Sequence, residues 1–292
     1  MGLWQELEST ISYAIGSPFS IKTQTALSGG CINRAFRLCS GESCYFVKLN
    51  SAEHQSTFEA EFAGLQELAG SGAVRVPTPI ASGVVGGQAF LVTENISMGD
   101  SGDPQQFGRQ LAQMHQTTSA YFGWYCDNTI GATPQINQQK KDWIIFLQEH
   151  RFGYQLQLAR EKPGGGVIYD LGMRLVEGLA HFFSSYRPEP SLLHGDLWGG
   201  NYGYGDQGEA VIFDPAVYYG DREVDIAMTE LFGGFSPKFY SGYEAVWPLD
   251  SGYSTRKKLY NLYHIINHFN LFGGSYGSQA EGMTQQLISE IY

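Results

Sequence analysis

The sequence is poor in cysteine, with only Cys31, Cys39, Cys44 and Cys126 in 292 residues. No Cys-x-x-Cys pair occurs, and the intervals fit neither a zinc site nor the disulfide framework of a small secreted domain. These absences argue against a thiolate metal centre. The simplest prediction is that the cysteines are free thiols in a reducing cytoplasm.

Basic residues are also scarce. The sequence has 18 Lys and Arg against 29 Asp and Glu, which gives a formal net charge of −11. Binding to nucleic acid or to an anionic membrane surface needs clustered Lys and Arg, so neither partner is expected. A few local donors still suffice to bind a nucleotide. No apolar run approaches the roughly 20 residues that span a bilayer, and the N-terminal MGLWQELEST lacks the features of a secretory signal. We expect a cytoplasmic protein.

The composition, with 42% apolar and 16% charged residues, is that of a globular chain. The length suits two packed units of about 150 residues each. Residues 16–96 alternate apolar and polar positions around glycine turns, which indicates a sheet built from hairpins. One inserted helix is indicated by the spacing of Phe58, Phe62 and Leu65. The sequence therefore predicts a β-rich N-terminal lobe over residues 1–97.

The rest of the chain, residues 98–292, has mostly helical spacing. The first helix is predicted to begin at Pro104, and a compact strand–turn–strand segment is predicted at 191–216. Further helices are predicted near 142–160, 167–185, 222–232 and 254–271. Together the two lobes predict an α+β fold.

The segment LLHGDLWGGN places an acid directly after an apolar strand and an amide five residues later, at Asp196 and Asn201. The same interval separates Asp and Asn in the catalytic loop of protein kinases, where Asp handles the proton of the acceptor hydroxyl and Asn binds magnesium. A second strand, AVIF, ends at Asp214, and Mg²⁺ prefers such carboxylate and amide oxygens. Taken alone, His194-Gly195-Asp196 is typical of an ordinary turn. The three groups together indicate a phosphoryl-transfer site.

The N-terminal lobe supplies the cations and backbone donors that a triphosphate needs. A glycine turn at Gly29 and Gly30 precedes a strand that carries Lys48, and a helix with Glu61 follows. In kinases, a lysine in this order contacts the phosphates and pairs with a glutamate on the helix. Glu61 is our candidate for that partner, and Glu59 and Glu67 are the alternatives. A surface lysine and a plain hairpin would explain the individual residues, but not their order.

On these residues the chain resembles the protein-kinase-like superfamily, and within it the fructosamine kinases, also called ketosamine-3-kinases. LLHGDLWGGN, IFDPAVYYGDREVDIAM and LFGGF carry the resemblance, which RVPTPI, FGWYCDNTIGATPQIN and DWIIFLQEHR extend over nearly the whole chain. The resemblance implies a bilobal fold of the aminoglycoside-phosphotransferase type. It also implies ATP-dependent phosphorylation of the sugar 3-hydroxyl of ketoamines, a step that promotes deglycation.

The resemblance also implies roles for individual residues. Asp196 would be the catalytic base, with Asn201 and Asp214 as Mg²⁺ ligands. Lys48 would hold the ATP phosphates together with Gly29 and Gly30, and Glu61 would orient Lys48. Backbone groups of Glu94 and Ile96 would bind adenine, while His194 and Asp225 would brace the catalytic loop. The ring of Trp198 would pack against the substrate sugar, with a core tryptophan as the alternative.

Two departures from protein kinases bear on the acceptor. The glycine turn is shorter than G-x-G-x-x-G, and Asp214 is followed by Pro-Ala and then closely by GDREVD, which leaves no room for an activation loop. The lack of an activation loop favours a metabolite or a modified side chain over a folded protein as the acceptor. The resemblance implies that this acceptor is a small ketoamine or a glycated lysine. Monomer and homodimer both stay open, and so does redox sensitivity of Cys31 in the glycine turn.

Competing hypotheses come from two other functional classes. One is another small-molecule kinase, of the aminoglycoside or choline kinase type. The other is a catalytically silent nucleotide-binding scaffold, which would bind ATP without turnover. A zinc site at His264 and His268 is the weaker explanation of that pair, because no Glu follows the first His and apolar residues surround both.

Overall fold

The computed structural model describes residues 2–27 and 33–292, so the predictions for Gly29, Gly30 and Cys31 lie outside the described residues. The chain divides into two compact units. The first comprises Met1–Asp103 and Tyr202–Pro215, and the second comprises Pro104–Asn201 and Ala216–Tyr292. The boundary predicted near residue 97 lies a few residues before Asp103, and it stays a prediction. The sequence did not predict that Tyr202–Pro215 belongs to the first unit.

The first unit contains a five-stranded antiparallel sheet in the order β1-β2-β3-β5-β4 and a second sheet in the order β11-β10-β6. Its elements are α1 (Leu3–Ile15), β1 (Thr23–Leu27), β2 (Arg34–Ser40), β3 (Ser43–Ser51), α2 (Gln55–Gly70), β4 (Pro79–Val85), β5 (Gln88–Glu94), β6 (Met98–Gly99), β10 (Tyr202–Gly205) and β11 (Ala210–Ile212). The predicted hairpin-built sheet with one inserted helix is thus present.

The two faces of the five-stranded sheet have separate apolar clusters. Val47 and Leu49 of β3 pack with Leu7 and Ile11 of α1 on one face. The residue between them, Lys48, pairs with Leu91 of β5, and Leu91 packs with Phe58 of α2 on the other face. Because successive side chains of a strand alternate between faces, this register directs Lys48 toward α2.

The second unit is mostly helical. Its elements are α3 (Pro104–His115), β7 (Asn128–Ile130), β8 (Thr133–Gln135), α4 (Trp143–Phe146), α5 (Tyr154–Arg160), α6 (Gly165–Glu177), β9 (Ser191–Leu193), β12 (Tyr218–Gly220), α7 (Glu223–Leu231), α8 (Pro237–Val246), α9 (Tyr253–Phe272) and α10 (Ser275–Ile291). A π-helical turn, Leu147–Gly153, joins α4 to α5, and a 3₁₀ segment, Leu179–Phe183, follows α6.

The predicted α+β class and the predicted helices are confirmed within a few residues. The elements of the second unit that were missed are α8, α10, both strands of the β7–β8 hairpin, and β12. Helix α8 packs on α3 through the rings of Phe107, Phe235 and Phe239, whose centroids lie 4.8–6.1 Å apart. In the described part of the chain, no helix combines the length and apolar character that crossing a bilayer requires.

The prediction of free thiols is wrong for Cys39 and Cys44, which form a disulfide with a Cα–Cα distance of 4.1 Å. The two residues are direct partners in the β2–β3 ladder, either side of the hairpin turn. Sequence spacing could not reveal the pair, because only the strand register places the two residues opposite each other. Cys126 remains a free thiol, and partial burial raises its pKa.

Candidate active site

Lys48 in the first unit forms two short ion pairs. Its Nζ lies 2.6 Å from Oε1 of Glu61 on α2 and 2.7 Å from Oδ1 of Asp214, which follows β11. Of the three glutamates considered for the α2 partner, the structure selects Glu61, whereas Glu59 accepts a hydrogen bond from Gln55. The order Lys strand, Glu helix and strand-end Asp is therefore assembled within one unit.

Burial and charge act in opposite directions on this cluster. Burial alone would lower the pKa of Lys48, which is 8% exposed, but the charges of Glu61 and Asp214 outweigh it and the pKa is raised. Burial also raises the pKa of Glu61, and the Lys48 charge opposes that rise. The lysine therefore stays protonated between two acids, which the predicted contact with phosphate requires.

Asp214 has a strained backbone. Its φ of 55° is the only positive value at a non-glycine residue in the described ranges. This left-handed conformation costs an L-residue roughly 1–2 kcal/mol. Such strain persists where surrounding structure enforces it, often at functional sites. The side chain is 51% exposed although it contacts Lys48, so its carboxylate is accessible to a cation.

The segment predicted to bind adenine follows β5 in the same unit. The Glu94 N–H donates to the Thr78 carbonyl at 2.8 Å, so any adenine contact by this residue must use its carbonyl. Its carboxylate is held by Arg75 at 2.6 Å and by the Thr78 hydroxyl at 3.1 Å. Ile96 lies just beyond the ladder, half-buried.

Asp196 in the second unit lies directly after β9, in a tight loop closed by Asn201. The Asn201 Nδ2 donates to the Asp196 carbonyl at 2.9 Å and to its Oδ2 at 3.2 Å, and the Asn201 N–H donates to the Trp198 carbonyl at 2.9 Å. The interval of five therefore corresponds to one turn that joins the carboxylate to the amide. Because the amide nitrogen is the donor, the amide oxygen is the group suited to a metal ion.

The backbone beside Asp196 is anchored by Asp225 of α7. Oδ2 of Asp225 accepts from the His194 N–H at 2.7 Å, and Oδ1 accepts from the Gly195 N–H at 2.9 Å. Gly195 has a φ of +83°, and a Cβ there would lie 2.0 Å from the Ala216 carbonyl oxygen. A glycine is therefore required next to the acid.

The ring of Trp198 is 40% exposed, which is inconsistent with the alternative of a core tryptophan. A Cβ on Gly200 would lie 2.3 Å from the ring, so the ring covers the loop backbone.

His264 is buried, and burial lowers its pKa to about 3. No cluster of metal-ligating side chains is found among the described residues, and the His264 and His268 pair has no metal-site geometry.

Sequence reasoning missed His115, at the end of α3. Its Nε2 lies 3.1 Å from Oδ2 of Asp225, and its Nδ1 lies 2.8 Å from the hydroxyl of Tyr243. A weak signal existed, because His115 is four residues after Leu111 on the apolar face of the predicted helix. Its partner could not be inferred, since His115 and Asp225 are 110 residues apart.

Comparison with known proteins gives a consistent result. A family model described as fructosamine kinase matches residues 3–290. The probable ketoamine kinase of Synechocystis is 48% identical over 98% of this chain and 97% of its own length. The chloroplastic protein-ribulosamine 3-kinase of Arabidopsis thaliana is 44% identical over 90% of this chain and 82% of its own.

Solved structures agree with these sequence relatives. A Haemophilus somnus protein assigned as a fructosamine-3-kinase superimposes with a TM-score of 0.89 at 32% identity, over 98% of each chain. The aminoglycoside phosphotransferase APH(4)-Ia shares the fold, with a TM-score of 0.66 at 15% identity over 98% of each chain. The fold is thus of the protein-kinase-like type that the sequence predicted.

Proposed function

Because this chain belongs to the fructosamine kinase family, we propose that it is an ATP-dependent kinase that phosphorylates the sugar 3-hydroxyl of ketoamines. The substrates are fructosamine or ribulosamine adducts of amines, including glycated lysines, and phosphorylation promotes deglycation. The observation that carries the proposal is the pairing of Lys48 with Glu61 and Asp214. A lysine held in this way contacts ATP phosphates in related folds.

On the nucleotide side, Lys48 binds the phosphates and Glu61 fixes its direction. The backbone of Glu94 and Ile96 binds adenine, and Gly29 and Gly30 cover the phosphates. None of these roles requires a group outside the first unit.

The donor set also suits Mg²⁺, through the half-exposed Asp214 carboxylate and the Asn201 amide oxygen. Asn201 directly precedes β10 along the chain, and Asp214 follows β11. The chemistry that Mg²⁺ supplies when bound is neutralisation of charge on the phosphoryl oxygens.

On the acceptor side, Asp196 accepts the proton of the 3-hydroxyl. The hydroxyl oxygen then forms a bond to the γ-phosphorus while the bond from that phosphorus to the β–γ bridging oxygen breaks, and ADP leaves with the electron pair. Trp198 offers an exposed ring to the sugar, and aromatic faces pack well against such rings. Asp225 and His194 hold the loop so that the carboxylate is in place before the acceptor arrives.

The setting of the protein is also part of the proposal. The acidic composition supports the absence of a nucleic-acid or membrane partner. A cytoplasmic location and a monomeric or homodimeric state are further parts of the proposal. The disulfide gives a direct test of location, since Cys39 and Cys44 of a protein in a reducing compartment should react with an alkylating reagent added at lysis.

A substrate panel tests the activity. Fructosyl-, ribulosyl- and erythrulosyl-lysine are incubated with Mg-ATP, ADP release is followed, and the phosphorylated carbon is located by NMR. We expect phosphate on O3 of at least one ketoamine and no turnover with an aminoglycoside or choline. Turnover of an aminoglycoside or choline alone would identify a different small-molecule kinase. ATP binding without turnover of any acceptor would identify a silent scaffold.

A further inference from the structure

A chain of buried side chains runs behind the catalytic loop of the second unit. It begins at Arg222, passes through Tyr243 of α8 and His115 of α3, and ends at Asp225. His115 and Asp225 have no exposed surface, and Tyr243 is almost fully buried. Water therefore has no access to these groups, and each proton must be accounted for by the side chains themselves.

Within this series of hydrogen bonds, the hydroxyl proton of Tyr243 has a single acceptor. Nη1 of Arg222 lies 3.2 Å from the tyrosine oxygen, and a guanidinium can only donate. The tyrosine oxygen is therefore an acceptor toward Arg222, and its own proton is directed to Nδ1 of His115, 2.8 Å away. If Nδ1 carried a proton instead, the buried hydroxyl proton would lack an acceptor in this chain, which is costly.

Arg222 is itself fixed in place. Its Nη1 also donates to the Trp247 carbonyl at 2.9 Å, its Nη2 donates to the Pro248 carbonyl at 2.6 Å, and its guanidinium lies 4.1 Å from the Trp247 ring centroid. These contacts orient the guanidinium toward Tyr243. The direction of the whole chain of hydrogen bonds follows from this one group, because arginine does not give up its proton.

With Nδ1 as an acceptor, the ring proton of His115 lies on Nε2 and is donated to Oδ2 of Asp225. Asp225 then accepts from His115 and from the N–H groups of His194 and Gly195. A carboxylate with these donors satisfied is a rigid anchor for the backbone that carries Asp196.

We propose that Tyr243, oriented by Arg222, is a positioning residue that sets the tautomer of His115 and thereby the position of the catalytic base. The expected effect on turnover rests on the proposed role of Asp196. The tautomer of His115 does not depend on that role, and it can be measured without any substrate.

The tautomer is read by NMR of protein labelled with ¹⁵N-histidine, with the His115 signals assigned from their loss in His115→Gln. We expect the Nε2-protonated tautomer in the native protein at neutral pH. We also expect a change in the His115 ring signals in Tyr243→Phe, which keeps the ring and removes the donor. An Nδ1-protonated or doubly protonated His115 in the native protein would overturn the proposal, whatever the enzyme's activity.

Kinetics test the positioning role. Tyr243→Phe should lower kcat about tenfold with little change in KM for ATP, since small displacements of a catalytic group reduce turnover strongly. Tyr240→Phe is the matched control, because it removes a phenol hydroxyl from the same helix, one that contacts Thr229 instead. Equal kcat values for the two variants would contradict the role.

Replacement of His115 separates positioning from packing. In His115→Gln, the glutamine Nε2 takes the place of the histidine Nε2 and can donate to Asp225. The shorter asparagine of His115→Asn places its amide near the position of the histidine Nδ1, so it does not replace that donor. His115→Gln should therefore retain more of the native kcat than His115→Asn at equal thermal stability. The reverse order at equal stability would show that the Nε2 donor does not matter.

Discussion

The Lys48 cluster of the first unit and the Asp225 cluster of the second fix their functional groups by different means. Lys48 is held by two carboxylates, one largely buried on α2 and one half exposed. Asp225 is held by three hydrogen-bond donors, two of them backbone N–H groups, with no exposed surface. Charge pairing dominates in the Lys48 cluster and hydrogen bonding in the Asp225 cluster.

This difference suits the two tasks. A group that contacts phosphates must keep its charge and exchange one ionic partner for another, which an ion pair with an exposed acid permits. A catalytic loop must keep one geometry, which a buried and fully satisfied network enforces. We therefore expect changes in the first unit to affect ATP affinity and unfolding, and changes in the second to affect kcat.

The largest effect is expected for Asp196→Asn, which removes the proposed base from the second unit. Proton transfer by a positioned side chain contributes roughly 10²–10⁴-fold to the rate, so kcat should fall by that factor while KM for ATP changes little. Asp206→Asn, at an exposed position between β10 and β11, is the control for loss of one carboxylate. Near-native turnover of Asp196→Asn would remove the distinction between the two units.

The next effect is expected for Lys48→Met, which leaves Glu61 buried without its cation. Removing one partner of a buried ion pair costs about 3 kcal/mol, so the free energy of unfolding in urea should fall by that amount. KM for ATP should rise as well, because the phosphates lose a contact.

Two variants sharpen this result. Combining Lys48→Met with Glu61→Gln should recover part of the lost stability, since no unpaired buried charge remains. Lys22→Met, at an exposed position of the same unit, should leave both quantities unchanged. An unfolding free energy unaffected by Lys48→Met would mean that the ion pairs do not organise this unit.

The parts of the site that depend on local pattern were predictable. Lys48 and Glu61 were predicted from the order of a lysine strand and a glutamate helix, which are close in sequence. Asp196 and Asn201 were predicted from their interval of five residues, which the structure places in a single turn. Each of these relations is set by backbone geometry within a short stretch of chain.

The parts that depend on tertiary contact were not predictable. The bond between His115 and Tyr243 joins residues 128 apart, through the packing of α3 against a helix that the sequence did not indicate. Likewise, the pairing of Cys39 with Cys44 depends on a strand register that can shift by one residue without changing the hydropathy of the sequence.

A third prediction concerns that disulfide in the sheet of the first unit. Because it closes a short loop, reducing it should lower the unfolding free energy by about 2 kcal/mol or less. Urea unfolding with and without reductant measures the change. The variant Cys39→Ser/Cys44→Ser should be as stable as the reduced protein and indifferent to reductant. An effect on kcat with no effect on stability would contradict the purely structural role of this hairpin.

The smallest effect is expected from pH, through His264 of the second unit. Neither ring nitrogen of this buried histidine has a hydrogen-bond partner among the described residues. Burial lowers its pKa from 6.5 to about 3 in the folded protein. In the unfolded chain the ring takes up a proton below pH 6.5, whereas in the folded protein it stays neutral. Stability is therefore complete above pH 6.5 and decreases as the pH falls toward 3.

Each pH unit below 6.5 should lower the free energy of unfolding by about 1.4 kcal/mol, the value that corresponds to one unit of pKa difference. Urea unfolding of the native protein at pH 7 and pH 5.5 measures the decrease, and His264→Phe should show a smaller one because it has no ring to protonate. His54→Phe, at a partly exposed histidine of the first unit, is the control and should keep the native pH dependence. If the two variants lose stability equally on acidification, the buried histidine is not the source. The acid sensitivity would then not distinguish the second unit from the first.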